Sequence, residues 1–502
     1  MDSSTGAGAG RKPRRRKAPA DPVPPKTARG RRTRAQLLQG VVAALNKYGY
    51  QAMRVSDIAA EAHVTLSLFS RYFRNKADAT LEVLHGMLAE FRGAIPAPGP
   101  ETSFWDRELA LHRNYVRLFG EGKTGLLGCY FSYAFGEAAF RSVFTDSTRQ
   151  FVREHSIAVR YALPQRNLTE SAIRPVALAL VSMTDNFIYR YLTGREYLPG
   201  AQGIDIAWLL AALRHRAFLL RDPPQPHAAT LFSLRQPLAV SSVPASAAAS
   251  LGRRGGLSAE QELKRSDAQV TLQRIRNTTL TLLNRLSYDD LRISDIESET
   301  GLTRGVVYYH YTDKRDLVLN VLAERVDAIH TALFAAADSG SRRLTAFESL
   351  NALSCVLASE FSKAPGVMRA LYHLEERDTE VAAYYGARRG EWARLISRAL
   401  ARHARASEAQ MVLLNVMGHA FLAMADRFLY DIYVVQLPET SVISQPEDAA
   451  TLLAALWHRM AFGSNPADAE LDRLPVLRLL SSKPAAQSHP GAKSRGSRAT
   501  RT

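Results

Sequence analysis

The chain has 502 residues, 46% hydrophobic and 23% charged, with a formal net charge of +17 at pH 7. That length exceeds one ordinary domain and points to about three globular units plus linkers. No apolar run reaches the roughly 18 residues of a membrane span, Met1 to Gly10 lacks the apolar centre of a secretory signal, and two cysteines, Cys129 and Cys355, make neither a disulfide framework nor a metal site; the expectation is a cytoplasmic protein without a cofactor or membrane partner, its thiols in the core.

The charge is unevenly placed. Residues 1–34 hold eleven Lys and Arg against two Asp, and residues 481–502 hold five basic residues and no acid. Like charges in Pro-, Gly- and Ser-rich sequence cannot build a core, so 1–30 and 481–502 are predicted to be disordered basic tails. The run from Arg11 to Lys17 suits a polyanion such as DNA, which binds cations by counterion release.

An internal repeat organises the remainder. Arg54-Val55-Ser56-Asp57-Ile58 recurs as Arg292-Ile293-Ser294-Asp295-Ile296, an offset of 238 that holds without a gap from about residue 31 to 84. Identities along it include Leu45/Leu283, Asn46/Asn284, Tyr50/Tyr288, Glu61/Glu299, Thr65/Thr303 and Lys76/Lys314.

In the first copy (31–90), Leu37, Leu38, Val41, Val42 and Leu45 form one apolar helix face, and Gly49 is placed to stop that helix. Ser56 is predicted to cap a short helix whose core stripe is Ile58, Ala59, Ala62 and Val64. A turn at His63 leads to a cap at Thr65 and a helix through Tyr72, and Asn75 precedes a further helix at Lys76. Residues 101–221 follow as a helical domain, with a long apolar segment at Ala172–Tyr191. Residues 222–265, rich in Pro, Ala, Ser and Gly, are read as a linker.

The second copy (266–328) repeats the pattern: a cap at Ser294, a turn at Gly301 where positive φ costs glycine nothing, a cap at Thr303, a helix through Tyr311 and a cap at Asp313. A second helical domain spans 341–463, with a long apolar segment at Glu408–Tyr430. Two short helices joined by a tight turn form a helix-turn-helix, whose second helix fits the major groove. The candidate DNA-contacting residues are Thr65, Leu66, Ser67, Ser70, Arg71, Tyr72 and Lys76 in the first copy. In the second they are Thr303, Arg304, Gly305, Val306, Tyr308, Tyr309, His310 and Lys314. Val306, Val307 and Tyr311 are expected to be core in part.

At these residues the chain resembles the TetR family of repressors. The motif is carried by Asp295-Ile296 through Gly301-Leu302-Thr303, then Gly305, Tyr308, His310, Tyr311, Lys314 and Leu317. In the first copy it is carried by Asp57-Ile58-Ala59-Ala60-Glu61-Ala62, His63-Val64-Thr65, Arg71-Tyr72-Phe73 and Lys76. The first copy departs from the pattern at Ser70, where an aromatic is usual, and at His63, where glycine is usual. The resemblance covers about 55 residues in each half. It implies an all-α fold of two tandem halves, each a three-helix DNA-binding head plus a helical ligand-binding and dimerisation domain. It implies double-stranded DNA as partner, a small apolar effector, DNA-facing Tyr308, His310 and Lys314, and transcriptional repression. The linked halves offer a choice between an intramolecular pseudo-dimer and a homodimer; linkage gives the first an effective concentration up to about millimolar.

Effector-lining candidates are Met411, Met417, Phe421, Met424, Phe428 and Tyr430, with Tyr130, Tyr133 and Phe135 in the first half. His373 with Glu375 and Glu376, and His419 with Asp426, are candidate polar anchors; a core role competes for all of these. No phosphate loop, zincin motif or nucleophile elbow is present, which argues against an enzyme. The alternative to a regulator is a ligand-sensing or interaction scaffold whose heads have lost sequence-specific binding.

Overall fold

The computed structural model describes residues 25–120, 122–131, 138–166, 168–196, 198, 200–224, 261–339, 344–404 and 408–467. The C-terminal basic tail, residues 1–24 of the N-terminal one and most of the Pro-rich linker lie outside the described residues, while 28–30 of the expected tail are already part of α1. Among those described there are helices and no strands. The first half runs α1 Ala28–Ala52, α2 Val55–Glu61, α3 Leu66–Tyr72, α4 Lys76–Gly93, α5 Phe104–Gly120, α6 Thr124–Phe131, α7 Ala138–Ala162, α8 Glu170–Leu192 and α9 Ile206–Leu219. The second runs α10 Gln261–Arg285, α11 Ile293–Thr300, α12 Arg304–His310, α13 Lys314–Ser339, α14 Ala346–Lys363, α15 Pro365–Glu375, α16 Thr379–Ala404, α17 Glu408–Tyr430 and α18 Pro446–Phe462. The architecture is all-α and tandem.

The chain divides into two compact units, Met1–Glu90 with Glu121–Phe131, and Phe91–Gly120 with Ser132–Thr502. In the first unit, α1 buries Leu37, Val41, Ala44 and Leu45. It approaches α2 closely at Gly40, where a Cβ would lie 2.7 Å from that of Ala62. Gly49 breaks α1 at φ +68 rather than ending it. The N-terminus of α6 docks on α1: the Gly125 N–H donates to Asn46 Oδ1 at 2.9 Å. The second half repeats this contact, Gly366 N–H donating to Asn284 Oδ1 at 2.8 Å.

The second unit holds the second head and the helical domains of both halves. Here α8 and α9 pack against α17 and α18, a four-helix arrangement. Its two sides are related residue by residue. Met183, Asp185, Phe187 and Tyr189 recur at an offset of 241 as Met424, Asp426, Phe428 and Tyr430. Leu209-Leu210-Ala211-Ala212-Leu213 and His215-Arg216 recur at 243 as Leu452-Leu453-Ala454-Ala455-Leu456 and His458-Arg459. Arg216 donates to the carbonyls of Met460 and Ala461, both at 3.0 Å. Arg459 donates to those of Phe218, at 3.1 Å, and Ala217, at 2.5 Å. Each arginine thus satisfies orphan carbonyls at the C-terminus of the opposite helix, a reciprocal exchange of the kind a two-fold axis produces. His215 and His458 repeat the pattern locally, meeting the carbonyls of Arg221 at 3.0 Å and Ser464 at 3.1 Å.

Among the described residues one helix, Gln410–Val435, is long and apolar enough to cross a membrane; 89% of its apolar window is buried against protein. Met417, Phe421, Met424, Phe428 and Tyr430 are buried in this core, and Phe421 stacks on Trp457 at 5.6 Å. Met411 is half-buried. Tyr133 and Phe135 lie outside the described residues.

Candidate nucleic-acid interface

Both short-helix pairs form, with one correction at their starts. The residue flanking α2 is Arg54 rather than Ser56, which lies inside the helix; the Asp57 carboxylate accepts from the Arg54 N–H at 2.7 Å. Likewise Asp295 accepts from the Arg292 N–H at 2.8 Å, and Ser294 lies within α11. A carboxylate in the first turn satisfies an orphan donor and the helix dipole together, so it outcompetes the serine hydroxyl.

The turns adopt the expected backbone. His63 sits at φ +53 and Gly301 at φ +67. Thr65 and Thr303 flank α3 and α12 with extended backbone, neither making a side-chain cap bond. Asn75 and Asp313 do cap, accepting from Asp78 N–H at 2.9 Å and Asp316 N–H at 2.8 Å.

The second helix of each pair is anchored on one side and open on the other. In α3, Phe69 is buried against Phe73, ring centroids 5.5 Å apart. The open face carries Thr65, Leu66 (53% exposed), Ser67, Ser70 and Arg71. In α12, Val307 is the buried anchor and Tyr311 is tied to α10 by Arg276, whose Nε donates to its hydroxyl at 3.0 Å. The open face carries Thr303, Arg304, Gly305, Tyr308 (47% exposed) and Tyr309 (83%), while Val306 and His310 are half-buried. Burial lowers the His310 pKa from its ordinary value, so this ring is neutral at pH 7.

Three expected contacts are placed differently. Tyr72 is only 8% exposed and belongs to the core of its head. The Lys76 ammonium donates to the carbonyls of Tyr50, Met53 and Gln51 at 2.8, 3.0 and 3.2 Å and lies 4.6 Å from the Tyr50 ring centroid. Lys314 repeats this on Tyr288 O at 2.9 Å and the Tyr288 ring at 4.6 Å. These lysines clamp the chain where the first helix of each head ends. An ammonium with its donors spent on carbonyls is a poor free charge for phosphate.

One cationic group figured in the sequence reading only as part of the basic N-terminal segment. Lys26, Arg29, Arg31 and Arg32 are exposed where α1 begins, and the first turn has no acidic residue. Cations at a helix N-terminus oppose the macrodipole, so helix stability does not account for them. The clustering of arginines there was the available signal.

Residues 37–83 and 275–321 each match the family model described as bacterial regulatory proteins, tetR family. No curated protein matches the chain.

Proposed function

Starting from a chain that is a tandem tetR-family regulator with two DNA-binding domains, we propose that it represses transcription and that one chain does the work of a dimer. The observation that carries the DNA-binding surface is the open face of α12. Arg304 and Tyr308 lie one turn apart, Gly305 and Tyr309 likewise, and all four are exposed while Val307 holds the helix to its head. An exposed guanidinium suits guanine edges or phosphate, and glycine admits a close backbone approach. In α3 the matching face is Thr65, Leu66, Ser67, Ser70 and Arg71. With Leu66 and Ser70 at the positions of Arg304 and Tyr308, it is the weaker reader, supported by the basic residues opening α1. The α8/α9 and α17/α18 seam supports the pseudo-dimer reading, because it places within one chain the kind of helix pairing a homodimer would need. Two different reading faces then prefer two unlike half-sites rather than a palindrome.

The effector reading is supported by a small polar-walled cavity in the first half, lined by Phe91, Leu111, Tyr115, Phe151, Asp185 and Arg214. At the position of Arg214, by the 243 offset, the second half has Trp457, fully buried. This apolar filling replaces a polar cavity wall, so the first half is the sensor in this reading.

Behind the wall, Glu108 meets Arg214 at 2.8 Å, His155 at 3.1 Å and Arg107 at 3.4 Å. Burial pushes its carboxyl up, but these three partners hold it well below the usual carboxylate range. Burial also lowers His112 to about 3 and His155 to about 4, so both rings are neutral. In this reading the polar group of an apolar effector faces Asp185. The test is titration of the full chain with fluorescent duplex from a random-sequence selection, over a salt series. Arg304→Ala should relax base preference in one half-site. Equal binding of all sequences by the parent protein would leave only the electrostatic part and remove the regulator reading.

A further inference from the structure

The seam between the two halves contains a charge network that its own near-symmetry does not explain. Arg190, at the end of α8, grips Glu375 of α15 with both terminal nitrogens, at 2.8 and 3.2 Å. Its Nε donates to Glu196 at 2.7 Å. Glu196 also accepts from Arg389 of α16 at 2.7 Å and pairs with His419 of α17 at 2.6 Å. Arg389 in turn pairs with Asp426. Arg195 reaches Glu376 at 2.6 Å and the Glu375 carbonyl at 2.9 Å, and the Tyr189 hydroxyl donates to Glu376. Arg190, Glu196, Glu375 and Arg389 are all buried.

The repeat gives each of these positions a counterpart at the 241 offset that relates Asp185 to Asp426 and Gly125 to Gly366. Opposite Arg190, Arg195 and Glu196 stand Asp431, Gln436 and Leu437 in the second half. Opposite Glu375, Glu376, Arg389 and His419 stand Ala134, Phe135, Thr148 and Leu178 in the first. The reciprocal pair Arg216/Arg459 would serve any pairing of halves; this network would not. Two first halves would leave Glu196 facing Thr148 and Leu178 where Arg389 and His419 stand, both buried and neither able to pair with a carboxylate's charge. Two second halves would bring Glu375 to the position holding Asp431, a like charge. Leaving one member of a buried ion pair without its partner is strongly unfavourable, and like charges across an interface exclude wrong partners.

We propose that this network is a pairing code: each half accepts the other half and rejects a second copy of itself, so that the chain closes on itself and remains a monomer. The inference rests on the pseudo-dimer reading above. Its test keeps the whole chain. A protease site is inserted between residues 230 and 250, isotopically light and heavy preparations are cut, mixed and allowed to exchange, and complexes are weighed by native mass spectrometry. Unbiased pairing would give matched-half complexes in about half of all pairs. The code predicts that unlike pairs dominate by at least about a hundredfold, in line with a buried charge mismatch. Matched pairs at the unbiased proportion overturn the code while keeping the pseudo-dimer. Fragments that separate on cutting overturn both.

Charge reversal supplies the second readout. Arg190→Glu should weaken the unlike pair, and adding Glu375→Arg should restore it. If the double variant is no tighter than the single, the Arg190–Glu375 contact plays no part in selection.

Discussion

Asp185 is 5% exposed and lines the cavity of the first half. Burial raises its pKa from 3.8 to about 7, against the lowering effects of the Tyr115 hydroxyl and of Arg214. An acid with a raised folded pKa works against the fold as pH climbs. Below pH 4 it is protonated in both states and contributes nothing. Between pH 4 and 7 the unfolded chain releases a proton that the folded chain retains, and stability falls; above pH 7 the full cost is present. A shift of about three units corresponds to about 4 kcal/mol. Asp185→Asn keeps the shape and removes the titration. It should leave stability unchanged near pH 4 and raise it by up to about 4 kcal/mol at pH 8, read from urea midpoints at constant m. The same gain at both pH values would refute the reasoning, because it would mean that packing rather than ionisation sets the effect. A residue that weakens the fold at neutral pH is a natural carrier of binding, so the variant should also respond differently to any effector.

His112 and His155, lowered to about 3 and about 4 by burial, act in the opposite sense. Below pH 6.5 the unfolded chain takes up protons that the folded rings refuse, so acid destabilises. Two such histidines against one Asp185 leave a net loss of about 1.4 kcal/mol per pH unit between roughly pH 6 and 4.5, and Asp185→Asn should double that slope. Lys314→Met should cost about 2 kcal/mol of stability through the stranded Tyr288 carbonyl and leave the salt dependence of DNA binding unchanged. A salt slope shallower by one unit would return this lysine to the phosphate contacts. A Cβ added by Gly366→Ala would fall 2.1 Å from the Leu283 carbonyl oxygen. The resulting shift of α15 against α10 should cost about 2 kcal/mol in the same denaturation assay.

The heads were legible because a gapless offset of 238 put turn, anchor and cap residues in register twice, and because His63 and Gly301 mark the turn position that takes positive φ in both copies. Side-chain direction was not. Tyr72 and Lys76 lie at the end of one short helix and the start of the next, where a change of rotamer decides between surface and core. The second stretch of the repeat, from Met183 to Arg216 against Met424 to Arg459, escaped notice because loop lengths shift its offset to 241 and then 243. The cavity was illegible for another reason: Arg107, Glu108, Asp185 and Arg214 come from three helices, and each alone resembles an ordinary surface charge. The Met and aromatic stripe of α17, conversely, had the pattern of a ligand wall and is packed as core.

The central claim is that one chain, paired within itself, reads DNA with two different faces. The direct test is the mass of the complex formed on duplexes selected by the full-length protein, measured together with its footprint. The account predicts one chain per duplex protecting two unlike half-sites. Two chains on a palindrome, each using the same head, would contradict it.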